Sequence, residues 1–359
     1  MPPNNFNATG VLFEDDVLDM DTSSKGVGDH RVASNRKLEI VWTNVALFAI
    51  LHLSALYGLF LILTGSSMWQ TNCTFQILTL YYFSLYFGVY SSGIGITAGA
   101  HRLWSHKSFK AKTPLKIMLT ILNCMAFEDS VIDWSRDHRM HHKFSETDAD
   151  PHNATRGFLF AHIGWLMVKK HPELIAKRRA VDMSDLYAEP ILVFQKKYYL
   201  ILMPIFCFLL PTVLPMIFWG ESLVNAYFVC AMLRYAVSLH LTWLVNSAAH
   251  MYGTKPYDQR ISPSENMFVS AFALGEGSHN YHHTFPWDYK TGELGGVMNW
   301  TKMIIDIFAS IGWAYDLKTA PTDVIQKRVL RTGDGTHSLK GQADKCEPKA
   351  EIAELTKDD

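Results

Sequence analysis

The sequence has little cysteine and no excess of charge of either sign. Only 5 of its 359 residues are cysteine, and none has the paired spacing of a zinc or disulfide motif. We therefore expect free thiols and a working face in the cytosol. The formal net charge is −1, so nothing in the overall charge favours nucleic acid as a partner. An HExxH motif, typical of helical zinc hydrolases, is absent as well.

Long apolar runs, in contrast, are present, and four of them could each form a membrane-crossing helix of about 20 residues. They cover residues 40–64, 73–98, 198–220 and 222–244, and Arg234 is the only formal charge inside them. One such run is also compatible with a buried helix of a soluble protein, but four in two close pairs favour a membrane protein. A charge inside a span usually faces a cavity or a partner, so Arg234 either supports a site or pairs structurally.

The distribution of basic residues predicts the orientation of these runs. Residues 65–72 and 220–221 contain no Lys or Arg, whereas residues 99–197 are rich in both, which indicates that this segment lies in the cytosol. The predicted fold is an all-α membrane protein with four transmembrane helices in two hairpins beneath a cytosolic helical cap. The cap comprises residues 99–197 and 245–318 of a working domain at 38–318. Residues 1–37 form a flexible acidic tail and residues 319–359 a polar tail, both cytosolic.

Histidine is abundant, and 9 of the 16 His residues lie in four short segments on the predicted cytosolic side. Two boxes have the pattern HxxHH, one has the pattern HxxxxH, and a ninth His follows Asn-Ser-Ala-Ala. On an α-helix, positions i, i+3 and i+4 share a face, so each HxxHH box is expected to direct its rings at one place. The nine residues are His101, His106, His138, His141, His142, His250, His279, His282 and His283.

Nine imidazoles exceed the ligand set of a single zinc ion and suffice for a dimetal site. Imidazole suits iron, copper, nickel and zinc alike, so the ligand type does not select the metal, although oxygen chemistry is favoured. A ligating imidazole usually donates its second N–H to a carboxylate or a carbonyl group. Candidates for that role are Asp137, Glu146, Asp148, Asp150 and Glu276.

The His segments and their flanks resemble the signatures of stearoyl-CoA-type fatty acid desaturases. The runs are HRLWSH at 101–106, RDHRMHHKFSETDADPH at 136–152, NSAAH at 246–250 and GEGSHNYHHTFPW at 275–287. The resemblance covers residues 36–317 and is nearest to the insect branch, which includes moth enzymes for pheromone precursors. It implies four transmembrane helices under a cytosolic cap, residence in the endoplasmic reticulum, and two irons held by the nine His. The implied division is His101, His138, His142 and His283 for one iron, with Asn246 through a water, and His106, His141, His250, His279 and His282 for the other.

The resemblance also implies the reaction and its partners. The two irons use O₂ and two electrons, which arrive from NADH through cytochrome b5 reductase and cytochrome b5, to place a cis double bond in a saturated fatty acyl-CoA during fatty acid biosynthesis. The implied CoA site is Arg136, Asp137, Lys169 and Lys170, although a lysine pair bordering lipid headgroups is an alternative for the last two. The implied tunnel residues are Trp134, Trp165, Thr242 and Trp243. Leu85 or Val89 would lie near the far end, where chain length is set.

This sequence departs from the family pattern at Glu128-Asp129, where relatives often have Gln-Asn. The Gln position would bond with Trp134 and Thr242 at the bend of the acyl chain, and the Asn position would contact CoA. Two acids there leave the double-bond position open between Δ9 and Δ11. A di-iron hydroxylase or acetylenase could use the same oxidant, and a His-rich metal transporter is a further alternative. A transporter would need polar residues along a path through the bilayer, and these spans offer mainly Arg234, His52 and His240.

Overall fold

The computed structural model describes residues 38–64, 87–293 and 298–339, and these are mostly helical. Helix α1 spans Trp42–Leu63, a helix at 87–94 runs into a π-helical segment Gly95–Ser105, and α2 and α3 span Thr113–Ala126 and Val131–Lys143. Short helices follow at Ala154–Arg156, Phe160–Gly164, Trp165–Met167 (α4), Pro172–Lys177 (α5), Arg178–Ala180, Ser184–Tyr187 (α6) and Pro190–Lys197 (α7). Two long helices follow: α8, Tyr199–Phe218, and α9, Leu223–Met251. The rest are α10 Met267–Phe272, α11 His279–Thr284, α12 Trp300–Ser310 and α13 Thr322–Thr332, with strands β1 Lys110–Ala111 and β2 Ala314–Tyr315.

Three of the described helices, α1, α8 and α9, are long and apolar enough to cross a membrane. They coincide with the first, third and fourth predicted spans, which are thus helices of sufficient length. Their apolar side chains face outward to a large extent, as with Leu53, Leu200 and Phe218, which are 66%, 83% and 72% exposed. Such exposed apolar surface is costly in water and suits a lipid environment. The second predicted span lies outside the described residues up to residue 86, and its described end at 87–98 is helical.

The fourth span differs from its prediction at its C-terminal end. The predicted boundary was residue 244, but α9 continues to Met251. The segment Asn-Ser-Ala-Ala-His after residue 245 has no proline or glycine to stop a helix, so the helix leaves the apolar region without a break. As a result Asn246 and His250, expected in the cap, stand on the same helix as the membrane span.

The structure assigns Arg234 a structural role. Its side chain is fully buried in α9. The guanidinium donates hydrogen bonds to the carbonyl oxygens of Met125 (3.1 Å), Cys207 (2.7 Å) and Cys230 (3.3 Å). These contacts join α9 to α2 and α8, and they satisfy the donors of a charge that would otherwise be expensive to bury.

Packed structure continues past the predicted domain boundary at residue 318 in the part of the chain that the structure describes. Helix α13 buries Ile325 and Val329 against Tyr257, Tyr281 and Phe285. The two aliphatic residues are four positions apart and therefore share one helical face, while Gln326 and Lys327 are exposed and Arg328 pairs with the buried Asp258. The remaining tail predictions, for residues 1–37 and 340–359, fall outside the described residues.

Candidate metal centre

Five of the nine His residues form one compact group, here called the five-His group. Their candidate ligand nitrogens all lie within 4.8 Å of one another. The Nε2 atoms of His101 and His282 are 2.9 Å apart, those of His106 and His138 are 2.8 Å apart, and those of His282 and His142 are 3.0 Å apart. The rings therefore point inward at one place between the π-helical segment, α3 and α11.

The other four residues, His141, His250, His279 and His283, form the four-His group, which meets the same distance limit. The Nε2 atom of His279 lies 2.9 Å from that of His250 and 3.1 Å from that of His283. The groups adjoin, because the rings of His142 and His283 stack at 4.1 Å. The structure thus brings all nine predicted residues together as two neighbouring ligand sets.

Each HxxHH box is divided between the two groups, which corrects the expectation that its rings meet at one place. In α3, His138 and His142 lie in the five-His group, and His141 lies in the four-His group. Adjacent positions on an α-helix point about 100° apart, so the last two His of a box can diverge. In α11 the pattern is reversed: His279 and His283 join the four-His group, and His282 joins the five-His group.

The grouping therefore differs from the division implied by the resemblance. His106 and His282 belong with His101, His138 and His142, whereas His283 belongs with the opposite set. For His106 the backbone supplies the reason. Gly95–Ser105 is π-helical and the N–H of His106 bonds to the carbonyl oxygen of His101, so positions five apart stand above one another. The rings of His101 and His106 are consequently 4.9 Å apart on one face.

Carboxylates orient some of the rings from behind. Nδ1 of His101 lies 3.1 Å from Glu276, which also accepts a 2.8 Å hydrogen bond from the buried Arg102. Nδ1 of His141 lies 2.9 Å from Asp150. Burial alone would raise the pKa of both carboxyls, but their cationic and imidazole partners hold each at about 2. Both acids are therefore ionised, and each fixes the tautomer that keeps Nε2 of its histidine free for a metal.

Of the three remaining predicted carboxylates, one faces a ring of the His groups and two do not. Glu146 lies 3.6 Å from Nδ1 of His250, so it too faces the back of a ring. Asp137 instead pairs with Arg136 and Lys170, and Asp148 lies 3.8 Å from His171 at the surface.

The donor set fits a metal centre on two grounds. Burial lowers the pKa of six rings well below the ordinary value, so they are neutral and can bind a metal; they are His106, His138, His142, His279, His282 and His283. Second, nitrogens that share a metal at about 2.1 Å are about 3 Å apart when the bonds meet at a right angle. The Nε2 separations of 2.8–3.1 Å match that spacing.

An inner cavity opens onto both His groups. Its walls are mostly apolar and include Val89, whereas Leu85 lies outside the described residues. His101 and His138 from one group and His141 and His279 from the other reach this cavity. An apolar molecule inside it would therefore lie against the metal ligands.

A larger outer cavity continues from the inner one. Both are lined by Trp134, His138, Thr242 and Asn246, which mark the junction. The outer cavity extends past Trp165 and Trp243 to the lysines at its mouth, and helix α1 forms one wall. All four predicted tunnel residues lie on this route.

Glu128 stands at the junction and accepts two hydrogen bonds. Thr242 Oγ1 donates to one carboxylate oxygen at 2.8 Å, and Trp134 Nε1 donates to the other at 3.3 Å. Burial raises the pKa of Glu128 to about 7, and the two donors oppose that rise. Asp129 lines the outer cavity beside it. The set expected from the resemblance is thus present, with a carboxyl in place of an amide.

Three of the four predicted CoA residues, Asp137, Lys169 and Lys170, line the outer cavity, and each of the predicted cations is paired with an acid. Lys169 Nζ is 2.6 Å from Glu39, and Lys170 contacts Asp137. Arg136 donates to Asp133 at 2.8 Å and to Asp137 at 3.2 Å. Lys169 and Lys170 therefore lie where an anionic ligand would approach the apolar cavity, each beside a carboxylate.

Two further features of the outer cavity were missed by the sequence analysis. The imidazole of His152 lines it, and Nδ1 of that ring and Nε1 of Trp165 are buried without a hydrogen-bond partner. The sequence analysis treated the run DADPH, which ends at His152, only as part of the family signature. The wall formed by α1, including Asn44 and Phe48, was missed because α1 looked like a uniformly lipid-facing span.

Comparison with known proteins agrees with this geometry. The family model described as "Fatty acid desaturase" matches residues 77–291. The chain is 52% identical to an acyl-CoA Delta-9 desaturase of Acheta domesticus, covering 98% of this chain and 97% of that protein. It is 50% identical to an acyl-CoA Delta12-desaturase of the same species, over 97% and 95%, and 54% identical to an acyl-CoA Delta(11) desaturase of Choristoneura rosaceana, over 88% and 90%. The chain belongs to the fatty acid desaturase family.

Proposed function

We propose that this protein is a membrane-embedded acyl-CoA desaturase that holds two irons and places a cis double bond in a saturated acyl chain. The observation that carries the proposal is the pair of His groups at the wall of an apolar cavity that leads to a mouth bearing Lys169 and Lys170. Relatives named as acyl-CoA desaturases support the same activity.

The nine His would hold the metals, five at one and four at the other, with Asn246 beside them in position to contribute through a water. Iron, when bound, supplies the oxidising power for O₂-dependent hydrogen removal. A methylene C–H bond is not acidic, so no side chain is needed as a general acid or base. The protein's task is to hold the chain in place and to exclude water, and the buried, mostly apolar inner cavity provides both conditions.

The proposed substrate lies along the two cavities. Lys169, Lys170 and Arg136 would bind the CoA phosphates after exchanging their present carboxylate partners for them. The acyl chain would then pass Trp165 and Trp243 and turn at the junction between Trp134 and Thr242. The segment next to the His groups is the one that would be oxidised.

The double-bond position is proposed to depend on Glu128 and Asp129. The Glu128 carboxyl occupies both donors at the junction, so it fixes the side chains around which the acyl chain bends. Relatives of nearly equal similarity are named for positions 9, 11 and 12, so overall likeness does not select among them. We propose a Δ9 or Δ11 product.

The membrane arrangement is proposed to be the four-span one, in two hairpins, with both termini and the His groups on the cytosolic side of the endoplasmic reticulum. The three apolar helices and the basic residues of 99–197 support it. Cytochrome b5, reduced by its NADH-dependent reductase, is the proposed electron donor, and the family resemblance supports this partner.

The test is expression in yeast that lacks its own desaturase, with iron supplied, followed by mass spectrometry to locate new double bonds. The wild type is expected to make a monounsaturated acyl chain, and His141→Ala is expected to abolish it. His337→Ala is a matched control, because this His pairs with Glu293 away from both groups. Full-length protein that is present in the membrane but makes no unsaturated product would contradict the proposal.

A further inference from the structure

Three histidines outside the metal centre form a continuous hydrogen-bonded chain across three elements. His52 of α1 faces His240 of α9 with 3.0 Å between their Nε2 atoms. His240 Nδ1 lies 2.9 Å from Nε2 of His162, in Phe160–Gly164, and His162 Nδ1 lies 2.9 Å from Ser247 Oγ. At the other end, His52 Nδ1 is 2.6 Å from the carbonyl oxygen of Phe48. None of the three rings belongs to a cluster able to hold a metal among the residues that the structure describes.

The acceptor at one end of this chain determines which ring nitrogen of each histidine carries a hydrogen. The Phe48 carbonyl only accepts, so His52 must carry its hydrogen on Nδ1 and, if neutral, accept at Nε2. His240 then donates from Nε2 and accepts at Nδ1, and His162 donates from Nε2 and accepts at Nδ1. When all three rings are neutral, only one direction of donation along the chain satisfies every contact. His162 Nδ1 then needs a donor, which must be the hydroxyl of Ser247.

Ser247 can provide that hydrogen by rotation. Its hydroxyl lies 2.8 Å from the carbonyl oxygen of Trp243 and 2.9 Å from His162, and its one hydrogen can serve either acceptor. Burial lowers the pKa of His162, which favours the neutral chain and hence a hydroxyl directed at that ring. The chain is therefore a specific connection between α1, Phe160–Gly164 and α9, with defined ends.

These three elements are walls of the outer cavity or adjoin them. Besides the His chain, α1 is tied to the neighbouring segment by a short antiparallel bridge between Ile40 and Val168 and by the bond from Asn44 Nδ2 to the Leu166 carbonyl oxygen at 2.7 Å. The bridge lies beside the lysines of the mouth. Polar contacts thus hold the first half of α1 over the cavity, while its other face is exposed, as at Trp42 and Leu53 (71% and 66%).

The second half of α1 is held differently. It packs mainly against the π-helical part of α9, Ala226–Leu233. At Gly58 the approach is so close that a Cβ atom would lie 2.3 Å from the carbonyl oxygen of Phe228. This contact is steric and continuous, so α1 has a fixed point near Gly58 and detachable contacts at residues 40–52.

We propose that α1 is a lateral gate of the outer cavity, which pivots near Gly58 and is latched by the His52–His240–His162 chain and the bridge at Ile40 and Val168. The proposal rests on the proposed function, since the molecule admitted is the acyl tail of a membrane-dissolved acyl-CoA. Opening the latch lets the tail enter sideways from the bilayer, and closing it seals the chain from lipid and water.

The first test locks the gate. Partners of an antiparallel bridge have Cα atoms about 4.5–5.5 Å apart, which is within the range of about 4.4–6.8 Å for a disulfide. Ile40→Cys with Val168→Cys should therefore crosslink under oxidation. The background is the full chain with Cys73 and Cys346 replaced by serine, because Cys124, Cys207 and Cys230 are buried. Each single-cysteine variant, treated identically, is the matched control.

The measurement is stopped-flow binding of the fluorescent cis-parinaroyl-CoA to the iron-loaded protein in phosphatidylcholine nanodiscs. We expect the association rate to fall about tenfold or more in the oxidised pair and to recover on reduction, because a required opening is blocked. An unchanged rate in protein shown by mass spectrometry to be crosslinked overturns the gate. Absence of binding to the wild type overturns the proposed function and the gate with it.

A second pair of variants tests the latch without a disulfide and decides the question if the crosslink does not form. His52→Gln keeps an amide that can bond to His240, whereas His52→Leu has similar bulk and no polar group. Loss of one hydrogen bond of about 1 kcal/mol corresponds to about a fivefold change in rate. We expect His52→Leu to release bound cis-parinaroyl-CoA about fivefold faster than the wild type and His52→Gln to stay near it. Equal release rates in all three proteins overturn the latch.

Discussion

Replacing Glu128 with Gln is the most informative single change at the cavity junction. The carboxyl accepts hydrogen bonds from Thr242 and Trp134, and burial raises its pKa to about 7. Gln has the same shape but cannot ionise, and its amide offers only one acceptor atom to these two donors. The substitution therefore removes the titration and weakens one of the two hydrogen bonds.

The size and direction of the effect follow from the pKa. A rise from the ordinary value of 4.5 to about 7 corresponds to about 3 kcal/mol, reduced to about 2 kcal/mol because the carboxyl faces a cavity that can hold water. Because the folded-state pKa is the higher one, this contribution to stability is fully present below pH 4.5 and is lost as the pH rises through about 7. Gln costs about 1 kcal/mol for the weakened bond at every pH. Glu128→Gln should thus be less stable than the wild type at pH 5 and about 1 kcal/mol more stable at pH 8.

The same titration should appear in substrate binding. Above pH 7 the wild type would place a charged carboxylate at the bend of an apolar chain, so its KM for acyl-CoA should rise, whereas that of Glu128→Gln should stay level. Glu265→Gln is a matched control, because burial also raises the pKa of Glu265 to about 7 and this residue lines neither cavity. Thermal unfolding and initial rates between about pH 5 and 8.5 measure both effects. The KM of Glu265→Gln should rise with pH as that of the wild type does. The reasoning is refuted if the wild-type KM does not change with pH, or if the KM of Glu128→Gln rises as much as that of the wild type.

Three further predictions follow from the metal centre, the cap and the junction. Glu276→Gln removes the carboxylate behind His101 and should lower iron affinity about 10–100-fold, as measured by iron content after dialysis against a chelator. The surface variant Asp148→Asn should retain iron. Equal loss of iron from both variants would contradict the role of Glu276 in orienting His101. Ile325→Ala should lower the free energy of unfolding by about 2–4 kcal/mol, whereas the exposed Val324→Ala should change it little; equal unfolding midpoints would mean that α13 does not pack. Glu128→Gln with Asp129→Asn should move the double bond or change the product ratio by mass spectrometry, and an unchanged product profile refutes their role in regiochemistry.

The nine-His set was predictable from the sequence because its chemistry is local. Two HxxHH boxes and their flanks carry both the ligand type and the helical spacing, and the structure brings all nine together. The division between the two groups was not predictable. It depends on the π-helical segment before His106 and on the relative rotation of α3 and α11, and neither is encoded in spacing alone.

The membrane spans show the same contrast. Their positions followed from apolar composition, and the predicted starts at residues 40, 198 and 222 are each within two residues of the observed helices. The extension of α9 to Met251 was missed because hydropathy reports where the apolar surface ends and not where the helix ends. The wall that α1 contributes to the outer cavity was also missed, because a side chain facing a cavity and one facing lipid are equally apolar.

The uninterrupted course of α9 limits how enzymes built on this plan can diversify. Thr242 at the cavity junction and His250 in the four-His group stand eight residues apart on one helix, about 12 Å along its axis. With no loop between them, an inserted residue would rotate everything beyond it by about 100° and misdirect the ligand. The helix therefore fixes the distance between the cavity junction and the four-His group. On the proposed function, new double-bond positions would arise by exchanging side chains that contact this helix, such as Glu128 beside Thr242, while the backbone stays as it is.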